Sequence, residues 1–308
     1  IDDNESASLS IQAADTATEQ GGVQTTLITL TLVGSGTLSL ASPVTADVVD
    51  ASGGSATSGA DYTPLGTQTV SFPAGSTSGT TRTVPVTPLN DLAVEGNETV
   101  NLALQNPTGP TTLGTTASAV TIDDDDTASL SIQTTDTAAE EGGAQTTDVT
   151  LALGGSGSGP ASLAVALSAQ VIDATTGSAL SGTDYTPLGT QTVTFATGAT
   201  SGTTDTITLQ PIDDAVIEPA ETVDLTLQNL STTLAGQASL GTTAGTVTIT
   251  DNDTPNVAPV LAPIPNQVSA PGALSHPVTL SATDANNDPL LYSATVTKIE
   301  FHLDQLLN

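Results

Sequence analysis

The sequence predicts an all-β protein of tandem β-sandwiches followed by an incomplete C-terminal β module. Three observations support this fold class. Apolar residues alternate with Thr or Ser over short segments along most of the 308 residues, which is the period of a strand with one buried face. Helical periodicity is absent before the last dozen residues. A domain-sized segment also occurs twice, so the chain consists of matched units.

The internal repeat is visible in several motifs. SASLSIQ at 6–12 returns as TASLSIQ at 127–133, an offset of 121 residues, and DYTPLGTQTV at 61–70 returns at 184–193, an offset of 123. This period is longer than a solenoid repeat and suits a complete small domain. It predicts a first sandwich, a second sandwich and a partial module over residues 1–126, 127–254 and 255–308. The chain also opens on residues that match the end of the first repeat, which predicts a further repeat upstream.

Seven short strands are predicted in each sandwich. In the first repeat they centre on the alternating sets Leu9/Ile11, Ile28/Leu30/Leu32, Val44/Ala46/Val48, Val70/Phe72, Val84/Val86, Val100/Leu102/Leu104 and Val120/Ile122. The second repeat reproduces all seven. Seven alternating strands in about 120 residues are typical of an immunoglobulin-like sandwich.

Two further features belong to these strands. The aromatic pairs Tyr62/Phe72 and Tyr185/Phe195 fall at matched positions, so we expect them to fill the two cores. The run GGSGSGP at 154–160 has the composition of a flexible linker. Its place between two predicted strands favours a hairpin tip instead.

The composition excludes several classes of function. Only 11% of the residues are charged, but Asp and Glu number 33 against 2 Lys plus Arg, a net charge of −31. Without a basic surface we expect no nucleic acid and no anionic membrane as partner. The absence of cysteine excludes disulfides, thiolate nucleophiles and Cys-ligated zinc. The two histidines, His276 and His302, have no matched partner set, so we expect no catalytic site, no enzyme and no small-molecule substrate.

The acidic residues outside the strands collect in matched loops that can meet at one end of each sandwich. Six to eight oxygen ligands without His or Cys suit Ca²⁺, whereas Mg²⁺ keeps more water. The alternative is that these are solvated turn residues, since Asp favours turns. Repetition of the whole set in both repeats favours calcium.

Spaced motifs then resemble a known family. GSATSGADYT at 54–63, VSFPAG at 70–75, IDDAVIEPAET at 212–222 and TIDDDD at 121–126 look like Calx-beta domains. The resemblance implies immunoglobulin-like sandwiches that bind several Ca²⁺ ions at the distal loops. It implies as ligands Glu19, Asp61, Asp91, Glu95, Glu98, Asp124, Asp125, Glu140, Asp184, Asp213, Asp214, Glu218, Glu221, Asp251 and Asp253. The first repeat departs from the pattern at Asn90, where the second has Asp213, which predicts weaker or fewer ions there.

The tail, 255–308, is of a different kind. VTLSATDANNDPLLYSATV at 278–296 resembles part of a cadherin-like or related immunoglobulin-like module. Asp284 begins a segment like an EF-hand loop, but Pro289 and Thr295 stand where Gly and Glu are needed, so we predict a turn. About 54 residues are too few for a full sandwich. We therefore expect a truncated module, or one completed by a strand from another chain.

These features predict an extracellular, bacterial structural protein in which Ca²⁺ rigidifies the tandem sandwiches. It would serve as an adhesin stalk, a matrix component or a filament subunit, with copies or repeats of the same protein as partners. Two alternatives stay open: a calcium-sensing regulatory module inside a cell, and the non-catalytic spacer of a secreted enzyme.

Overall fold

The computed structural model describes residues 4–234, 236–265, 277–293 and 295. The strands of the first sandwich are β1 (Ser6–Ile11), β2 (Ala14–Thr18), β3 (Gln24–Val33), β4 (Val44–Asp50), β5 (Gln68–Phe72), β6 (Thr81–Val86), β7 (Ala93–Val94), β8 (Glu98–Gln105), β9 (Thr111–Leu113) and β10 (Ala117–Asp123). All seven predicted strands are present. The three additional ones, β2, β7 and β9, are short, and none of them has an alternating apolar pattern.

Two sheets make up the first sandwich. One has the order β6-β3-β1-β9 and the other β2-β10-β8-β4-β5. Most neighbours are antiparallel, but β1 pairs parallel with β9 and β2 pairs parallel with β10. The chain therefore changes sheets between β1 and β2. This crossing carries the loop after β2 to the same end of the sandwich as the exit of β10.

The second sandwich repeats this topology. Its strands are β11 (Thr127–Ile132), β12 (Thr135–Ala139), β13 (Gln145–Gly154), β14 (Ser162–Leu163), β15 (Leu167–Asp173), β16 (Thr190–Phe195), β17 (Thr204–Leu209), β18 (Glu221–Ser231), β19 (Ala238–Leu240) and β20 (Ala244–Thr250). Its sheets have the orders β17-β13-β11-β19 and β12-β20-β18-β15-β16. The all-β, tandem-sandwich prediction is confirmed.

Each sandwich has its own core, built from the inward positions of the alternating strands. In β4 the apolar residues Val44, Ala46 and Val48 are fully buried, while the residues between them are half-buried. The predicted core aromatics are buried as well, at most 3% exposed for either tyrosine and 1% for either phenylalanine. Packing of these inward faces, together with the strand ladders, is what holds the two sheets together.

The GGSGSGP run is neither a hairpin tip nor an interdomain linker. It lies between β13 and β14, and β14 pairs with β7 of the first sandwich, in parallel, through Ser162 with Ala93 and Leu163 with Val94. The hairpin interpretation was wrong because the next long strand, β15, belongs to the other sheet. The run is a sheet-to-sheet connection of the second sandwich that reaches the first.

The chain divides into two compact units. Both sandwiches belong to one, which contains Ile1–Asp214 and Pro219–Asp251, and the other contains Ala215–Glu218 and Asn252–Asn308. The second unit has two short strands, β21 (Val260–Leu261) and β22 (Ala282–Thr283), which pair antiparallel. Asp284 Oδ1 accepts hydrogen bonds from the amides of Asn286 and Asp288 at 2.8 and 3.2 Å, so this segment is a turn. His276, Lys298 and the segment after 295 lie outside the described residues.

Candidate metal centre

Carboxylates of the first sandwich form two groups at the end where β10 exits. Glu19, Asp124 and Asp126 form one, and Asp61, Glu95 and Glu98 form the other. Within each group the oxygen atoms that could bind a metal lie within 4.8 Å of one another. Like charges this close repel strongly, by about 4 kcal/mol at 4 Å for an effective dielectric constant near 20. Such an arrangement needs compensation by a cation or by protons.

Hydrogen bonds to the backbone hold the first group in place. Glu19 begins a short 3₁₀ turn after β2, is 8% exposed, and accepts a hydrogen bond from the amide of Asp91 at 3.1 Å. Asp124 Oδ2 accepts from the amides of Glu95 and Gly96 at 2.9 and 2.8 Å. The carboxylate of Asp124 therefore ties the exit of β10 to the loop that carries Glu95.

Asp126 is the least ordinary member of the group. Its side chain is 1% exposed, and neither carboxylate oxygen accepts a hydrogen bond of good geometry, the amide of Ser156 being only a weak donor to it. Oε2 of Glu98, in the other group, is also buried without a hydrogen-bond partner. Buried polar atoms normally have partners, and an unpaired buried charge is costly. These oxygens fit a bound cation with hard oxygen ligands, because the donor set contains no nitrogen or sulfur.

The electrostatics agree with this geometry. Burial raises the pKa of Glu19 to about 7, although the hydrogen bond from Asp91 opposes the rise. Burial and then the charges of Asp61 and Asp91 raise the pKa of Glu95 to about 7. Burial and then the charges of Asp124 and Asp125 raise the pKa of Asp126 to about 6, although a weak backbone hydrogen bond from Ser156 opposes the rise. Without a cation, part of this set therefore binds protons near neutral pH.

Glu98 shows the largest of these shifts. Burial and then a hydrogen bond shared with Asp61 raise its pKa to about 8. The charges of Asp61 and Glu95 add to the effect. A carboxyl that keeps its proton above pH 7 is a site where a divalent cation would displace a proton.

The second sandwich contributes a loop to this end of the first. Ser156 follows β13, and its Oγ donates to Asp125 Oδ2 at 3.2 Å. Asn90 Nδ2 donates to the carbonyl of Ser156 at 2.5 Å, and Gln20 donates to the Ser156 hydroxyl. Asp125 and Asn90 therefore lie at the junction between the sandwiches. Asn90 stands where the second repeat has Asp213, and it donates a hydrogen bond to Ser156 that a carboxylate could not donate.

The second sandwich places its acids in corresponding positions. Glu140, 6% exposed, has an oxygen within 4.8 Å of one on Asp251, and Asp184, 9% exposed, has one within 4.8 Å of Glu221. Asp184 Oδ2 also accepts from the amide of Leu180 at 2.6 Å. Of the other predicted ligands of this repeat, Asp213 and Asp214 are exposed and outside these pairs, and Glu218 and Asp253 belong to the C-terminal unit.

The structure thus places five predicted residues of the first repeat in the two groups, and places Asp91 and Asp125 beside them. Asp126 is the member that sequence reasoning missed. Alternation ends at Asp123, so a run of four aspartates does not show which side chain turns inward. The internal repeat does hold a signal: Asp126 matches Asp253, whereas Asp125 matches Asn252. Whether these residues bind metal stays a prediction.

Comparison with known proteins gives one family match. The family model described as Calx-beta domain matches residues 2–126 and again residues 123–253. No curated protein matches the chain. Within the described part of the chain, no helix is long and apolar enough to cross a membrane.

Solved structures match the chain at low similarity. The calcium-binding tandem CBD12 of CALX1.1 is 17% identical, with a TM-score of 0.34, over 78% of this chain and 98% of that one. CBD12 from CALX1.2 is 15% identical, with the same TM-score and coverage. The titin I-band fragment I67–I69 is 7% identical, with a TM-score of 0.26, over 79% of this chain and 64% of that one.

Proposed function

Because the chain belongs to the Calx-beta domain family through both of its sandwiches, we propose that it is an extracellular calcium-binding structural protein. The observation that carries the proposal is Asp126, a fully buried carboxylate that accepts no hydrogen bond of good geometry and lies against Glu19 and Asp124. A Ca²⁺ ion takes six to eight oxygen ligands. It would give the oxygens of Asp126 the strong partner they lack.

Calcium suits the site better than other common ions do. The described acidic groups contain carboxylates only, and zinc sites in proteins favour His and Cys. Magnesium demands a tight octahedron and usually keeps several waters, so it would leave part of a six-carboxylate set unbound. The fifteen predicted ligands, together with Asp126, form the ligand set of this proposal.

Binding would act on the junction between the sandwiches. Asp124 would bind the ion while its carboxylate accepts hydrogen bonds from the amides of Glu95 and Gly96. These two residues directly follow β7, which pairs with the second sandwich. If each site has a dissociation constant near 10 µM and free calcium is about 1 mM, binding adds roughly 2.7 kcal/mol per site. That is a large share of the stability of a domain of this size.

The role that follows is mechanical and non-catalytic. Ions that neutralise the carboxylates and tighten the junction would make tandem sandwiches a stiff element of an adhesin stalk, a matrix or a bacterial surface filament. The C-terminal module belongs to this proposal as a site where a strand from another chain could add. Its strands β21 and β22 are two residues long, and Val260 and Leu291 are 66% and 96% exposed.

The test is calcium titration calorimetry on the full chain, with thermal melts in 1 mM CaCl₂, MgCl₂ or EDTA, a calcium level that would saturate a roughly 10 µM site. We expect binding in the micromolar range and a melting temperature that is clearly higher with calcium than with EDTA. An unchanged melt with no heat of binding would refute calcium binding. Sub-micromolar affinity with a large conformational change would instead support the sensor. A catalytic domain encoded in the same polypeptide would support the spacer.

A further inference from the structure

The two sandwiches share one apolar contact that lies outside the acidic groups. Val94, in β7 of the first sandwich, is 0% exposed and belongs to the core cluster of the second sandwich, together with Leu163 of β14. Its carbonyl accepts a hydrogen bond from the amide of Ala164 at 3.1 Å, and the carbonyl of Leu92 accepts one from the amide of Ser162 at 3.2 Å. The first sandwich therefore contributes a buried side chain to the core of the second.

The loop between β18 and β19 borders this contact. It is four residues longer than its counterpart in the first repeat, since residues 229–240 correspond to residues 106–113. Leu234 lies in this loop, is 1% exposed and belongs to the same core cluster. Gln237, also in the loop, donates to Asn97 Oδ1 at 2.7 Å. The second sandwich thus has extra chain length at the place where it receives β7.

The acidic site holds the same segment from the other side. The amide of Asp91 donates to Glu19 at 3.1 Å, and the amides of Glu95 and Gly96 donate to Asp124 Oδ2 at 2.9 and 2.8 Å. Glu19 and Asp124 belong to one acidic group, and Glu95 belongs to the other. The segment 91–96 is therefore held by candidate calcium ligands at both ends and by the second core in between.

We propose that calcium bound by the first sandwich stabilises the core of the second by fixing segment 91–96, with Val94 as the positioning residue. This inference rests on the proposed function, because it needs an ion at the acidic groups. Without metal, the carboxylates repel one another and loosen both ends of the segment. An ion that draws them together restricts the segment and keeps Val94 in the second core. Coupling free energies are reciprocal, so a buried Val94 strengthens calcium binding by the same factor.

Hydrogen exchange followed by NMR on the full chain tests the coupling. The chain carries Glu140→Gln and Asp184→Asn, which remove the charges of two buried acids of the second sandwich, so that calcium acts through the first. The reporters are the amides of Ser162 and Ala164, which donate to segment 91–96, and the amide of Leu163, which donates within the second sandwich. We expect all three to exchange roughly tenfold more slowly, or slower still, in about 1 mM CaCl₂ than in EDTA.

Calorimetry in the same background measures the reciprocal effect. Val94→Ala should weaken calcium binding by about fivefold or more, whereas Val94→Ile, which refills the core, should keep the affinity within about twofold. Ile207→Ala is the control: it empties the same core from β17, which pairs with β13 in a sheet that contains neither β7 nor β14. It should leave the calcium affinity unchanged. A purely structural role of Val94 would lower stability in the same way without moving the affinity.

A second control uses the matched position of the other repeat. By the alignment of EGNETV with EPAETV, Val94 corresponds to Ile217, which is 55% exposed. Ile217→Ala should change neither the calcium affinity of the first sandwich nor the exchange of the reporter amides.

The outcomes separate the coupling from calcium binding itself. Heat of calcium binding with unchanged exchange at the reporter amides would overturn the coupling and leave the proposed function intact, whereas no heat of binding would overturn both. Equal losses of affinity in Val94→Ala and Ile207→Ala would also overturn the coupling, because the affinity would then follow core stability in general. If Val94→Ala does not fold, the exchange measurement on the chain with Val94 in place still decides.

Discussion

At the scale of single residues, burial distinguishes the acidic side chains that are the best candidates for binding the ion. Asp125 and Asp126 are neighbours in one aspartate run, but only Asp126 is buried without a hydrogen bond of good geometry to its carboxylate. Asp125 instead accepts a hydrogen bond from Ser156 of the second sandwich. Two identical residues therefore have different surroundings: Asp126 is enclosed in the proposed site, and Asp125 also holds the loop of the second sandwich at the junction.

Asp126→Asn tests this division. Removing the charge should weaken calcium binding at least tenfold, or about 1.4 kcal/mol, and should raise the stability of the metal-free protein because an uncompensated buried charge disappears. Calorimetry and thermal melts in EDTA measure the two effects. Asp148→Asn, which removes a charge from β13 outside the acidic groups, is the control. Unchanged affinity in Asp126→Asn would exclude Asp126 as a ligand.

Arg82 is a second residue whose contacts have a measurable consequence. Its Nε donates to the carbonyl of Ser71 at 2.8 Å, and its guanidinium lies 5.3 Å from the centre of the Phe72 ring. The matched residue, Asp205, makes the corresponding link with reversed polarity by accepting from the amide of Thr194 at 2.8 Å. Both side chains connect the edge strands of the two sheets.

Arg82→Ala should lower the free energy of unfolding by about 1 kcal/mol through the lost hydrogen bond and cation–π contact. Asp205→Ala should have an effect of similar size, and chemical denaturation measures both. Calcium affinity should not change in either variant. A loss below the error of the measurement would show that these links contribute nothing to closing the sandwich.

At the scale of elements, the junction depends on two segments that cross from one sandwich to the other. β7 carries Val94 into the second core, and the loop after β13 approaches the acids of the first. A Cβ on Gly157 would lie 1.8 Å from the carbonyl oxygen of Asp91, and one on Gly155 would lie 1.5 Å from Asp126 Oδ1. Gly155 and Gly157 are therefore needed because the loop after β13 lies too close to the first sandwich for a side chain at either position.

Val94→Ala should destabilise the second sandwich although the residue belongs to the first repeat. Truncating a fully buried apolar side chain leaves a cavity and costs about 2 kcal/mol. Ile217→Ala, the matched exposed substitution, should cost no more than about 0.5 kcal/mol. Hydrogen exchange resolved by segment should show faster exchange in β11 and β13 for the first variant only. Equal protection in both variants would contradict the shared core.

At the scale of the whole molecule, most of the net charge of −31 comes from acidic residues in the loops at the ends of the sandwiches. The raised pKa values of Glu19, Glu95 and Glu98 mean that the metal-free folded state binds protons that the unfolded chain releases near pH 4.5. The stability they contribute is fully present below that pH. It is lost as the pH rises through about 7 to 8, where the folded-state groups ionise.

In EDTA, the melting temperature should therefore fall between pH 5 and pH 8, by on the order of 5 °C. In saturating calcium the fall should disappear or reverse, because the ion binds the deprotonated carboxylates. Thermal melts across this pH range, with and without calcium, measure the difference. A metal-free protein whose stability rises over the same range would contradict the burial of these groups.

The sequence alone determined the fold class, because strand period and the internal repeat are local patterns: Val44, Ala46 and Val48 alternate whatever the chain does elsewhere. It also determined that matched acids such as Glu19 and Glu140 occupy corresponding loops. Only the tertiary structure decided that Asp126 turns inward, that GGSGSGP reaches the other sandwich, and that Val94 completes the core of the next sandwich. Those facts depend on which surfaces meet when two folded sandwiches pack, and no short segment carries that information.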